Sequence, residues 1–127
     1  MPLNISLSGA IAVAAGAVLG AWLRWLLGLL LNTTGSALPL GTLAANLSGG
    51  LLVGIALAWF AAHPGVAPEW RLFAVTGFLG ALTTFSTFSG ESLALIQRGA
   101  FFSAALHSMF HLVGCLAAAA IGFRLIR

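Results

Sequence analysis

Five hydroxyl side chains crowd into seven residues of this chain: Thr83, Thr84, Ser86, Thr87 and Ser89, punctuated by Phe85 and Phe88. Gly77 and Gly80 stand just before them. Hydroxyls can donate to an anion, and the positive edges of aromatic rings can meet one as well. Phe85 and Phe88 are three apart, so a helix sets them one turn from each other on one face, with Ser86 and Thr87 on adjoining faces. Glycine makes unwinding cheap, and irregular backbone inside a membrane is tolerated only where it is buried in protein or lines water. A helix break is therefore expected around Gly80–Thr83, where freed carbonyls would make a cation site of the kind built by discontinuous helices. Asn46 adds a primary amide with two donors, costly to leave unpaired. His107, His111 and Cys115 follow at i, i+4 and i+8 on one helix face. Metal binding there lacks carboxylate partners, so a polar stripe facing the interior is the preferred reading. Glu91 and Arg24, each near the end of an apolar segment, are read as structural charges that snorkel or pair.

The surroundings of these residues are apolar. The chain has 127 residues, 61% hydrophobic and 6% charged, with five Arg, two Glu and neither Lys nor Asp; its mean hydropathy is +1.10. A soluble domain carries about 25% charged residues, so this composition points to lipid as the solvent. The five arginines are scattered and form no basic cluster, which argues against a nucleic-acid partner. One cysteine excludes an internal disulfide and a multi-cysteine metal knuckle.

About 20 apolar residues cross the hydrocarbon as a helix, and four segments are long enough: about 5–31, 41–62, 70–98 and 99–123. Asn32-Thr33-Thr34-Gly35-Ser36 with Pro39 separates the first pair; His63-Pro64-Gly65 through Pro68-Glu69 separates the second from the third. Trp22, Trp25, Trp59 and Trp70 lie near span ends, as interfacial aromatics do. The first segment lacks the charged n-region of a signal peptide and outruns a short h-region, so it is read as a span. The positive-inside count is nearly flat: Arg71, Arg124 and Arg127 against Arg98 and Arg24. Such a chain could insert both ways. Gly16-x-x-x-Gly20 and Gly50-x-x-x-Gly54 predict close helix packing and say nothing about cargo. No His–carboxylate pair, nucleotide-binding loop or set of acidic metal ligands is evident, which argues against an enzyme.

Three blocks carry a resemblance to a known family. Gly16-Ala17-Val18-Leu19-Gly20-Ala21-Trp22-Leu23-Arg24-Trp25, then Gly41-Thr42-Leu43-Ala44-Ala45-Asn46, then Gly77-Phe78-Leu79-Gly80-Ala81-Leu82-Thr83-Thr84-Phe85-Ser86-Thr87-Phe88 resemble, in order, the signature blocks of the Fluc/CrcB fluoride channels. The resemblance implies an all-α, multi-pass protein of the bacterial inner membrane: four transmembrane helices per subunit, the third broken near its middle, in an antiparallel, dual-topology homodimer with two fluoride pathways. It further implies that Phe85, Phe88, Asn46, Ser86 and Thr87 line the pathway. Backbone carbonyls of Gly80 and Thr83 from both subunits would hold a structural sodium ion (Na+), and Arg24 would sit toward the vestibule. Three residues depart from the family pattern: Ala81 where a second glycine is usual, Trp25 for a tyrosine, and Cys115 for a small hydroxyl residue. The function expected is passive, selective fluoride export. A dual-topology exporter of cationic compounds is the alternative, but it needs an ionisable carboxylate inside a span, and the first span offers only Arg24. A non-conducting assembly subunit would leave the hydroxyl stripe without a purpose.

Overall fold

The structure, a computed structural model, describes residues 4–32 and 38–127. Among the described residues, four helical segments are long and apolar enough to cross a membrane: Leu7–Leu31, Leu40–Ala62, Pro68–Gln97 and Phe101–Ile126.

Helix α1 (Leu7–Leu31) starts where the Ser6 hydroxyl accepts the Gly9 N–H at 3.0 Å, a cap that contributes about 0.5–2 kcal/mol. At its far end the Asn32 side-chain oxygen accepts the Gly41 N–H at 2.6 Å, tying the exit of α1 to the entry of α2 (Leu40–Ala62). Thr33–Ser36 of the expected turn lie outside the described residues. Helix α2 ends at His63, whose ring stacks on Trp59 with centroids 4.4 Å apart.

The third segment is interrupted, as the sequence leads one to expect of it. Its first part, α3 (residues 68–82), opens with Pro68 in the first turn, where a missing N–H costs nothing. It then widens into a π-helical stretch over Leu72–Leu79 and closes with one α turn, Gly80–Leu82. The wider spiral, rare outside functional regions, has no counterpart in the sequence-based expectation. Thr83 (φ −84°, ψ 151°) and Thr84 (φ −149°, ψ 114°) are extended, and α4 (Phe85–Gln97) follows. The break thus falls on the two threonines, the last residue of the window in which it is expected and the one after it. Gly80 itself remains helical at φ −61°, ψ −33°. β-Branched threonines extend readily, and their polar groups find other partners here. A tight turn through Gly99 (φ 75°) then leads to α5 (Phe101–Ile126).

Helix α1 packs on α3, and α2 packs on α5. Small residues make both approaches possible. A side chain on Gly20 would run into the Phe78 carbonyl, and one on Gly54 into the Ala119 carbonyl. Backbone contact of this kind takes the place of the hydrophobic drive that lipid does not supply. Ala45, Leu79 and Leu82 form the buried centre beside the break, while Trp22, Trp25 and Trp70 face outward.

Candidate functional site: a pinned helix break

An extended residue directs its own N–H and C=O to the same side. At Thr84 both point at the Asn46 side chain: the N–H donates to Oδ1 at 2.7 Å, and Nδ2 donates to the C=O at 3.1 Å. Asn46 is buried on α2, so a neighbouring helix supplies the pairing that the broken one has lost. The second Nδ2 hydrogen faces His111 Nδ1 on α5 at 2.8 Å. One amide therefore joins α2, the break and α5, and its whole donor capacity is engaged.

The hydroxyls divide their work. Thr83 Oγ1 donates back to the Leu79 carbonyl at 2.9 Å, and Ser89 Oγ to the Phe85 carbonyl at 2.8 Å. Those two satisfy their own helices, the ordinary use of a Ser or Thr in a membrane helix. Thr84 caps α4: its Oγ1 accepts the Thr87 N–H at 3.1 Å. Thr87 Oγ1 (3.0 Å) and Ser86 Oγ (3.2 Å) gather round the same oxygen. In a continuous helix the Thr84 and Thr87 N–H groups would have gone to the Gly80 and Thr83 carbonyls. Their diversion to Asn46 and to Thr84 Oγ1 frees those two carbonyls. Hard oxygen donors of this kind suit a sodium ion, so the residues present fit the cation that the resemblance implies. Arg24 Nε donates to the Ala81 carbonyl at 3.1 Å; the guanidinium belongs to the break itself.

The rings continue the arrangement. Phe85 and Phe88 meet edge to face, with centroids 5.2 Å apart at 73°. Phe88 is buried and stacks on His111 at 4.6 Å and 25°, whereas Phe85 is 69% exposed. An open groove of about 590 Å³ runs along this face, lined by Asn46, Gly80, Thr83, Phe85, Phe88 and His111 among others. Cys115 also lines it. Ser86, Thr87 and Arg24 lie outside that lining.

One grouping escapes sequence reasoning. Glu91 of α4 comes to His107 of α5, with Oε2 and Nε2 3.1 Å apart but not aligned for a hydrogen bond, and its Oε1 accepts the Thr42 hydroxyl. The histidine stripe does have a carboxylate beside it. The signal was available: Glu91 and His107 each stand eight residues from Gly99, and antiparallel helices joined by a tight turn bring equidistant positions to one depth.

Comparison with known proteins identifies the family. The family described as "CrcB-like protein, Camphor Resistance (CrcB)" matches residues 11–123. A "Fluoride-specific ion channel FluC" of Ralstonia pickettii is 56% identical over 119 residues, 94% of each chain. One of Cupriavidus pinatubonensis is 57% identical over 114 residues, 90% of each chain. One of Aromatoleum aromaticum is 58% identical over 113 residues, 89% of this chain and 86% of the relative. The relatives bear the name of an ion channel and not of an enzyme, and the four apolar helices make this a multi-pass membrane protein. On the match along nearly its whole length, the chain belongs to the CrcB family.

Proposed function

We propose that the chain is a passive fluoride channel of the bacterial inner membrane. It works as an antiparallel homodimer in which a second copy closes the groove and a fluoride pathway runs along each copy. One observation carries the reading: Asn46 pins the break at Thr84 so that Phe85, Phe88 and the free Gly80 and Thr83 carbonyls share one open face.

Fluoride is small, accepts hydrogen bonds and donates none, so a narrow route must replace its water with donors, each weak enough for the ion to leave. The ring edges of Phe85 and Phe88 and the hydroxyls of Ser86 and Thr87 supply such contacts. Asn46, with both amide hydrogens engaged, shapes the route by holding the backbone and the neighbouring ring. Sodium held by the Gly80 and Thr83 carbonyls of two copies would add a fixed positive charge at the centre of the dimer. The free carbonyls and their place on the open face support that assignment. Arg24, on the carbonyl of Ala81, holds the break together on the vestibule side.

The exporter reading requires a carboxylate presented to the substrate. Glu91, the carboxylate nearest the site, is turned to Thr42 and His107 and does not line the groove. Fluoride efflux from liposomes containing the purified protein is the deciding measurement. Rapid fluoride efflux with negligible chloride efflux is expected; equal rates for the two anions, or none, would remove the channel reading.

A further inference from the structure

The histidine stripe of α5 lacks a carboxylate in the sequence, and the fold brings it one. Among the described residues, three buried side-chain atoms have no hydrogen-bond partner: Glu91 Oε2, His107 Nε2 and His111 Nε2. They belong to one cluster, in which these three residues offer ligating atoms within 4.8 Å of one another. His107 and His111 are 1% and 3% exposed, so bulk water does not reach them. Buried polar atoms are ordinarily paired, and three unpaired ones in one place call for a common partner.

The geometry separates ligands from supports. Glu91 Oε1 accepts the Thr42 hydroxyl, which fixes the carboxylate and leaves Oε2 to α5. Oε2 and His107 Nε2 stand 3.1 Å apart, yet the ring nitrogen is not aligned on the oxygen as a hydrogen bond requires. Two ligands held 2.0–2.1 Å from one tetrahedral zinc ion are about 3.3 Å apart, so the pair already has the bite of a metal site. His111 plays a different part. Its Nδ1 faces Asn46 Nδ2 at 2.8 Å, and the Thr84 N–H and C=O set the orientation of that amide. Nδ1 therefore accepts, and a neutral ring then carries its proton on Nε2. His111 can donate to a water on the ion but does not ligate it, a supporting contact of the kind that orients metal sites.

We propose that Glu91 and His107 hold a divalent transition-metal ion, zinc above all, between α4 and α5, with Thr42 and His111 as its outer partners and water completing its shell. An imidazole beside a carboxylate suits zinc, whereas the Gly80 and Thr83 carbonyls offer hard oxygen alone. Glu91 keeps 17% of its side chain exposed, which gives the ion a way in. One consequence rests on the channel reading above. His111 lines the groove, so a doubly charged cation behind its ring would hold fluoride too tightly for release, and conduction requires release. Zinc thus closes the route.

Equilibrium dialysis of tag-free protein in detergent against Zn2+ tests the site without any flux. Saturable binding of one zinc per chain is expected, lost in Glu91→Gln and His107→Phe and about tenfold weaker in Thr42→Val, which removes only the support. X-ray absorption at the zinc edge of the wild-type complex should show nitrogen and oxygen neighbours at about 2.0–2.1 Å, imidazole among them. No binding by the wild type, unchanged binding by Glu91→Gln, or a sulfur neighbour at about 2.3 Å contributed by Cys115 overturns the site. Should His107→Phe fail to fold, Glu91→Gln, which keeps an oxygen for Thr42, decides. In liposomes, saturating zinc should remove most of the wild-type fluoride efflux and spare that of Glu91→Gln; wild-type efflux indifferent to zinc overturns the closure. Wild-type protein that passes no fluoride even without zinc would defeat the channel reading, and dialysis would still decide the metal site.

Discussion

Asn46 and Thr84 are 38 positions apart, and their pairing is the contact on which the site depends. Replacing Asn46 by Leu keeps the volume and strips both partners from the Thr84 backbone. A buried polar group left without a partner costs about 1–3 kcal/mol, so Asn46→Leu should lower the melting temperature in detergent markedly and abolish fluoride efflux. Asn46→Asp keeps the acceptor for the Thr84 N–H and should melt between the two; a melting curve equal to wild type for the Leu variant would mean that the break is held by something else. For the rings, Phe85→Ile and Phe88→Ile should each stop efflux with the dimer intact. Phe85 is largely exposed in the single chain, so its variant should also keep wild-type stability, and unchanged efflux in both would remove them from the pathway. The residue types at this site were legible in the sequence, but their partners were not. An amide in a span reads as a free donor until the backbone it serves is placed beside it. The same limit hid Glu91, which the sequence offers as a helix-end charge and the fold sets against His107.

At the scale of the elements, the four spans and the interruption of the third follow from hydropathy and from Gly and Thr in one stretch. The position of the interruption follows from tertiary pairing: Gly80 stays helical because its neighbours have no better partner, and Thr83–Thr84 extend because Asn46 and their own hydroxyls reward it. The π-helical stretch over Leu72–Leu79 was not legible, since a one-residue change in hydrogen-bond register leaves no mark in an evenly apolar segment. Packing between elements makes its own prediction. Valine at Gly20 would meet the Phe78 carbonyl, and overpacking of this kind costs about 1–3 kcal/mol. Gly20→Val should yield less folded protein and a lower melting temperature, measured against wild type in the same detergent. Unaltered melting would show that α1 is free to shift along α3.

For the whole molecule, the single chain leaves the face that carries the helix break as an open groove, which a second copy would close. The purified protein should therefore have a protein mass of about 26 kDa by light scattering after detergent correction, twice the 13.0 kDa chain. Tags at one terminus should be accessible from both sides of the membrane. A monomer, or a tag reached from one side only, would contradict the antiparallel pair. Exchange into sodium-free buffer should reduce fluoride efflux, whereas full activity without sodium would leave the Gly80 and Thr83 carbonyls to be satisfied by other means.

The extended pair at Thr83–Thr84 also has an electrostatic consequence. A break inside a span creates two helix termini where lipid would otherwise see none, the carbonyl end of α3 and the amide end of α4. The aligned peptide dipoles give these ends opposite partial charges of about half an electron. Arg24 neutralises the carbonyl end through Ala81. The amide end has no acidic residue in its first turn, so no carboxylate of that turn stands against its positive pole beside Phe85, Ser86 and Thr87. A break of this kind would offer a positive potential without a buried lysine, and in a fluoride channel its counter-ion would be the ion that moves.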